Sequence, residues 1–179
     1  MKNLILIPII GLLMSSEVLL YDFNSPQTAG KWNIVNDGVM GGVSTSDMVL
    51  NQDSTATFSG FLRAENNGGF ASVRAVIAKN LDNFNGVIIR IKGDGNIYSL
   101  RFRTNNNFDG ASYEAKIKSE ENAWKEFKIP FDKFKATFRG RTLSNQPVLQ
   151  AKNIRQVGIL ISDNQFGKFE MHVDWIKFY

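Results

Sequence analysis

The stretch Asn36–Ser44 reads NDGVMGGVS, with glycines at 38, 41 and 42 beside an aspartate and a methionine. Glycine-rich loops of this density cradle phosphates, build tight turns or form the lip of a binding site. A dinucleotide site needs Gly-x-Gly-x-x-Gly ahead of a helical pattern, and a Walker loop ends in Gly-Lys-Ser/Thr. Neither is present. What remains is a turn or a lip: Asp37-Gly38 suits a turn whose carboxylate bonds nearby amides, and Gly41-Gly42 leaves room for a close approach. A second pair, Gly68-Gly69, opens the segment ENNGGFASVR. Two such loops belong at one rim of a sandwich.

The rest of the catalytic inventory is thin. His172 is the sole histidine and there is no cysteine, so a transition-metal site is not expected. His172 reads as a surface or structural residue. No Gly-x-Ser-x-Gly elbow and no His-Glu-x-x-His pair occurs. Asp37, Glu65, Asp94 and Asp163 offer carboxylates, but their spacing singles out no acid–base pair. Asn105–Asn107 with Asp109 make an oxygen-rich loop that reads as a solvated turn rather than a calcium site. This inventory neither supports an enzyme nor excludes one, and it implies no cofactor.

The elements that must position these groups are strands. TATFSGFLRA places Ala56, Phe58, Gly60 and Leu62 on one side; FASVRAVIA groups Ala71, Val73, Ala75 and Ile77. GVIIRIKG, NIYSLRFRT, SYEAKIK, AWKEFKIPF, IRQVGILIS and FEMHVDWIKFY continue the series. Period-two runs separated by Gly, Asn and Asp turns predict an all-β antiparallel sandwich or barrel. A helical turn is expected only after Pro130. The opposite sides of these strands carry Arg74, Arg90, Arg101 and Arg103, with Glu114 and Lys116. If their strands share a sheet, the planar guanidinium forks form a polar face able to hold carboxylates, carbonyls or sugar hydroxyls. If they lie more than about three strands apart, roughly 15 Å, no such patch exists. The alternative is a solvated face with weak ion pairs.

Composition sets the bounds. The chain has 179 residues, 43% hydrophobic and 21% charged, enough for one domain with a real core. The net charge of +4 is mild, and no Lys/Arg-rich run suggests nucleic acid. The apolar run from Leu4 to Met14 behind Lys2 is short for a membrane span. It is expected to be a signal peptide over 1–16, leaving one domain over 17–179.

Five segments in order carry a resemblance: WNIVNDGVMGGVSTS, ATFSGFLRAENNGGFASVR, GVIIRIKGDGNIYSLRFR, WKEFKIPFDKFKATFRGR and VGILISDNQFGKFEMHVDWIKFY. Together they resemble the thirty-kilodalton complex I intermediate-associated protein family across about residues 19 to 179. The resemblance implies a galactose-binding-domain-like jelly-roll β-sandwich, similar to some carbohydrate-binding modules. Mitochondrial members of that family are non-catalytic assembly factors for the membrane arm of respiratory complex I. The implied role is therefore a chaperone-like protein-binding module, with respiratory complex subunits as partners and peripheral membrane association. The matching positions mark Asp37, Met40, Gly41, Gly42, Ser44, Gly69, Phe70, Arg74, Asp163 and Gln165 as binding candidates, joined by Arg101 and Arg103 from the strand faces. Arg74 is expected in a charge-assisted network with Asp37 or Asp163, serving either as scaffold or as ligand contact. An exported chain would be on the wrong side of the membrane for complex I assembly. The leader thus keeps an alternative open: an exported carbohydrate-binding module with Trp32, Phe70, Phe108 and Tyr113 as candidate sugar platforms.

Overall fold

In a computed structural model, residues 17–179 are described apart from Asn80 and Phe108. The expected leader lies outside the described residues, and so does Phe108 as a sugar platform. The chain runs β1 (Val18–Asp22), a single helical turn α1 (Pro26–Ala29), β2 (Trp32–Ile34), β3 (Thr45–Leu50), β4 (Ala56–Leu62), β5 (Ala71–Val76), β6 (Gly86–Lys92) and β7 (Ile97–Arg103). It continues through β8 (Ser112–Lys118), β9 (Trp124–Pro130), β10 (Lys135–Phe138), β11 (Arg141–Thr142), β12 (Gln156–Ile161) and β13 (Gly167–Phe178). A short 3-10 turn at Phe131–Lys133 follows Pro130, as expected.

Two antiparallel sheets stack face to face. The first has the order β3-β4-β13-β6-β9, with β1 also paired to β13. The second has the order β11-β10-β8-β7-β12-β5-β2. The alternating residues do what their spacing predicts. Phe58 and Leu62 of β4, Val87, Ile89 and Ile91 of β6, and Phe169, Met171 and Val173 of β13 face Ala71, Val73, Tyr98, Leu100 and Phe102 of the other sheet in one core. Phe102 sits at its centre, with Phe131, Phe134 and Phe178 around it at ring distances of 5.3–6.2 Å. Burying each such side chain contributes about 1.5–3 kcal/mol.

One feature of β13 escapes a simple two-residue reading. Its pairing with β6 slips between Val173 and Trp175. The inward parity therefore changes from Phe169, Met171 and Val173 to Ile176 and Phe178. Glu170 and His172 stay on the outer side. The His172 ring lies between Thr57 and Glu170, 3.0 Å from each, which fits the surface role expected of it. Among the described residues no helix is long and apolar enough to cross a membrane.

Candidate functional site

The open face of the second sheet is where the arginines meet. On it, Arg74 of β5 and Arg101 of β7 pair with the same residue of the strand between them, Gly158 of β12. The two backbones are therefore two strand spacings apart, about 10 Å. Arg103 follows Arg101 on the same side of β7, opposite Gln156. Three arginines on two strands that flank β12 satisfy the proximity condition. Arg90 does not join them. It lies in the first sheet on β6, bound to Asp174 and stacked 4.8 Å over Trp124. Its local pattern is the same, but local pattern does not decide sheet membership.

The walls of this groove are built. Ser72, Arg74, Arg101, Arg103, Gln156 and Gly158 line it. Gly158 keeps the floor open: a Cβ there would stand 3.0 Å from the Val73 carbonyl and 3.3 Å from Arg74 Cγ. The Arg103 guanidinium, in a residue 7% exposed, donates to the Gly110 carbonyl at 2.7 Å. Gln156 Nε2 donates to Asn105 O at 2.8 Å. Arg101 donates to Thr137 Oγ1 at 3.3 Å. Its Nε is buried, 3.4 Å from Glu114 Oε2, an ion-pair contact without the geometry of a hydrogen bond. Burial, then the charges of Arg103 and Arg101, lower the Arg74 guanidinium to about 10. Burial lowers Arg101 despite Glu114, and burial with Arg101 lowers Arg103. All three stay cationic at neutral pH, so the fold holds like charges together in a partly desolvated groove. That arrangement costs stability and makes this groove the candidate site.

The glycine loops form a separate knot at the rim. β2 leads into a 3-10 turn, Asp37–Met40, and Asp37 N donates to the Phe70 carbonyl at 3.2 Å. This ties the two glycine loops side by side, as expected. The Asp37 residue is 1% exposed. Its carboxylate accepts from the Ser44 hydroxyl at 2.5 Å, the Ser44 amide at 2.9 Å and the Gly69 amide at 2.7 Å. Burial pushes this carboxyl up, but the bonds from Ser44, Gly69 and Phe70 outweigh it and hold the group below the usual carboxylate range. Ser44 Oγ in turn accepts from the Arg63 amide at 3.0 Å. Gly42 and Gly68 are glycines because of Asp37: a Cβ on either would fall 2.3 Å from its Cγ or 2.5 Å from its Oδ2. Gly41 differs, with φ at 89° and open space where a Cβ would be.

The expected network of Arg74 with Asp37 or Asp163 is thus replaced by other partners. Asp37 is satisfied by amides and a hydroxyl. Asp163 meets Lys116 at 2.5 Å. Gln165 copies a strand backbone, accepting from Ile97 N at 2.7 Å and donating to Ile97 O at 2.8 Å. Met40 is 67% exposed at the loop tip, beside exposed Val39 and Val43. Phe70 is half-buried. Trp32 and Tyr113 pack on the core and supply no platform on the open face. Trp32 sits 5.1 Å from Tyr21, and Tyr113 donates to Pro147 O at 3.0 Å. Sequence reasoning left Gly158 and Gln156 out of the site. The signal was available in QVGILIS, where a lone glycine interrupts an apolar strand, a mark of close approach.

Because the Asp37 carboxyl is depressed in the fold, its contribution is present above its unfolded value of about 3.9 and is lost as pH falls through the folded value. Thermal melts are expected to show Tm falling below about pH 4. Asp37→Asn should flatten that acid limb; an unchanged acid limb in this variant would refute the assignment.

Fold and site together define a class: an antiparallel jelly-roll sandwich of the galactose-binding-like type, with glycine-built rim loops and a polar open face. Solved structures agree on the fold. The family 11 carbohydrate-binding module of a Clostridium thermocellum cellulosomal cellulase superposes with a TM-score of 0.66 at 19% identity, covering 91% of this chain and 94% of that one. The chain belongs to the complex I intermediate-associated protein 30 family, whose sequence profile matches residues 21–173. Caenorhabditis briggsae has a relative described as probable complex I intermediate-associated protein 30, mitochondrial, 26% identical over 95% of this chain and 56% of its own length. The mouse protein of that name is 24% identical over 94% of this chain and 58% of its own length. The chain therefore spans a little over half the length of these curated relatives. Their description as mitochondrial gives no support to the export expected from the leader.

Proposed function

We propose that this chain is a non-catalytic, protein-binding module that associates with intermediates of respiratory complex I during assembly, in the manner of a chaperone. The observation that carries the reading is family membership over residues 21–173. The molecule supports it. The strongest concentration of unusual chemistry is a cationic face, while the described carboxylate at the rim, Asp37, is spent on backbone amides and Ser44. Work at a respiratory membrane also fits peripheral association on its non-exported side.

The solved neighbours favour one rival, a sugar-binding module. Two of the aromatic candidates for that role, Trp32 and Tyr113, pack on the core instead. Affinity capture from native membranes, run beside a glycan array, separates the two. The expected result is recovery of complex I subunits at sub-complex size and no glycan signal. Glycan binding without any respiratory subunit would overturn the proposal.

A further inference from the structure

We propose that the open face of the second sheet is the partner site, and that it takes the carboxylates of an extended acidic protein segment between Arg74, Arg101 and Arg103 over the Gly158 floor. This rests on the reading above that the ligand is a protein. Three features select this occupant.

The first is the donor set. Guanidinium forks present paired N–H groups in a plane, which match a carboxylate bidentately. Arg101 Nε is buried and lacks a hydrogen bond among the described residues. Glu114 stands at 3.4 Å without closing one. The fork is thus not saturated by the protein's own acceptors, and a carboxylate approaching its outer edge would share the charge that Glu114 meets only in part.

The second is the extent of the charge. Along the same face β8 carries Lys116 and Lys118, and Lys135 of β10 pairs opposite Glu114. Against these cations stand Glu114, Asp163 and Asp109, the last already paired with Arg139. A single small anion would use only the groove; a chain of carboxylates lying across the strands uses the whole row. The third is shape. The groove between the arginines is small, about 10 Å³, and is floored by backbone at Gly158. A space of that size suits the head of one acidic side chain reaching in from a segment above, whereas a sugar ring needs more room and a flat aromatic partner that Trp32 and Tyr113 do not provide. Burial and mutual repulsion already lower Arg74 to about 10, and an incoming anion would relieve that cost.

The test is titration of the isotope-labelled full chain with an octaglutamate peptide, read by amide shifts. Saturable shifts are expected at Ser72, Ser99 and Gly158, weakening steeply with salt. The double variant Arg74→Gln/Arg101→Gln should weaken the peptide at least about tenfold, a loss of about 1.4 kcal/mol, while its amide spectrum away from the groove stays that of the folded parent. Arg74→Lys, which keeps the charge but not the fork, should also weaken it. Shifts scattered over surface lysines and unmoved by the variants would overturn the site. So would inorganic phosphate matching the peptide in affinity at the same amides, since that identifies a small-anion site. Capture from membranes keeps the two proposals apart. If the parent captures complex I intermediates and the double variant does so equally, the acidic-segment site fails and the assembly role stands. If the peptide binds as described but the parent captures nothing respiratory, the site stands and the assembly role fails.

Discussion

Replacing Asp37 with alanine is expected to cost about 3–5 kcal/mol, because it strips the acceptor from several buried donors at once. The donors are the Ser44 hydroxyl and the amides of Ser44 and Gly69. None can turn to water without opening the loop, since Ser44 is itself buried and bound to the Arg63 amide. For a domain of this size the loss corresponds to a drop in Tm of roughly 10–15 °C. Asp163→Ala supplies the comparison. Its pair with Lys116 is half in solvent on both sides, 51% and 55% exposed, so its loss should stay within about 1 kcal/mol. Equal effects from the two substitutions, measured by thermal melts at neutral pH, would show that Asp37 is an ordinary rim carboxylate and not the tie between the glycine loops.

That contrast also explains what the sequence revealed and what it concealed. The strand faces were legible because each inward residue is two positions from the next, from Ala56 through Leu62 and from Tyr98 through Phe102. The bulge in β13 was not, since one extra residue near Asp174 leaves no local mark on the run FEMHVDWIKFY. The arginines were legible as outward-facing, yet whether they share a sheet depends on the pairing of β12 with β5 and β7, whose strands are far apart in the chain. Hence Arg74, Arg101 and Arg103 share a face, and Arg90, with the same local pattern, lies on the other sheet. The glycine pairs announce a close approach, but not the partners of Asp37. Reasoning from side chains sends a carboxylate toward an arginine. Here backbone amides do the same work, and every residue carries one, so the sequence holds no trace of the choice. Gln165 was hidden by the same logic, its amide standing in for a strand neighbour of Ile97.

If the carboxylate of Asp37 is what forbids a side chain at Gly68, the two positions must be energetically coupled. At Gly68 the backbone is extended, with φ at −71°, so alanine meets no conformational objection there. The obstacle is steric: its Cβ would fall 2.5 Å from Asp37 Oδ2 and 3.1 Å from Asp37 Cγ, with Glu65 O at 3.0 Å as a lesser contact. Gly68→Ala alone should therefore cost about 2–3 kcal/mol, as the carboxylate is driven off its donors. In an Asp37→Ala background both obstructing atoms are gone, and the same change should cost only about 1 kcal/mol, giving an interaction energy of about 1–2 kcal/mol in a double-mutant cycle. Gly41→Ala is the control with the opposite cause. Its backbone is left-handed and its Cβ would meet open space, so it should cost about 1–2 kcal/mol in either background. Urea denaturation of the four cycle members and the two Gly41 variants measures both quantities. Strict additivity between Asp37 and Gly68 would mean that the loops are held by something other than this carboxylate, whereas coupling at Gly68 but not at Gly41 assigns one glycine to space and the other to backbone hand.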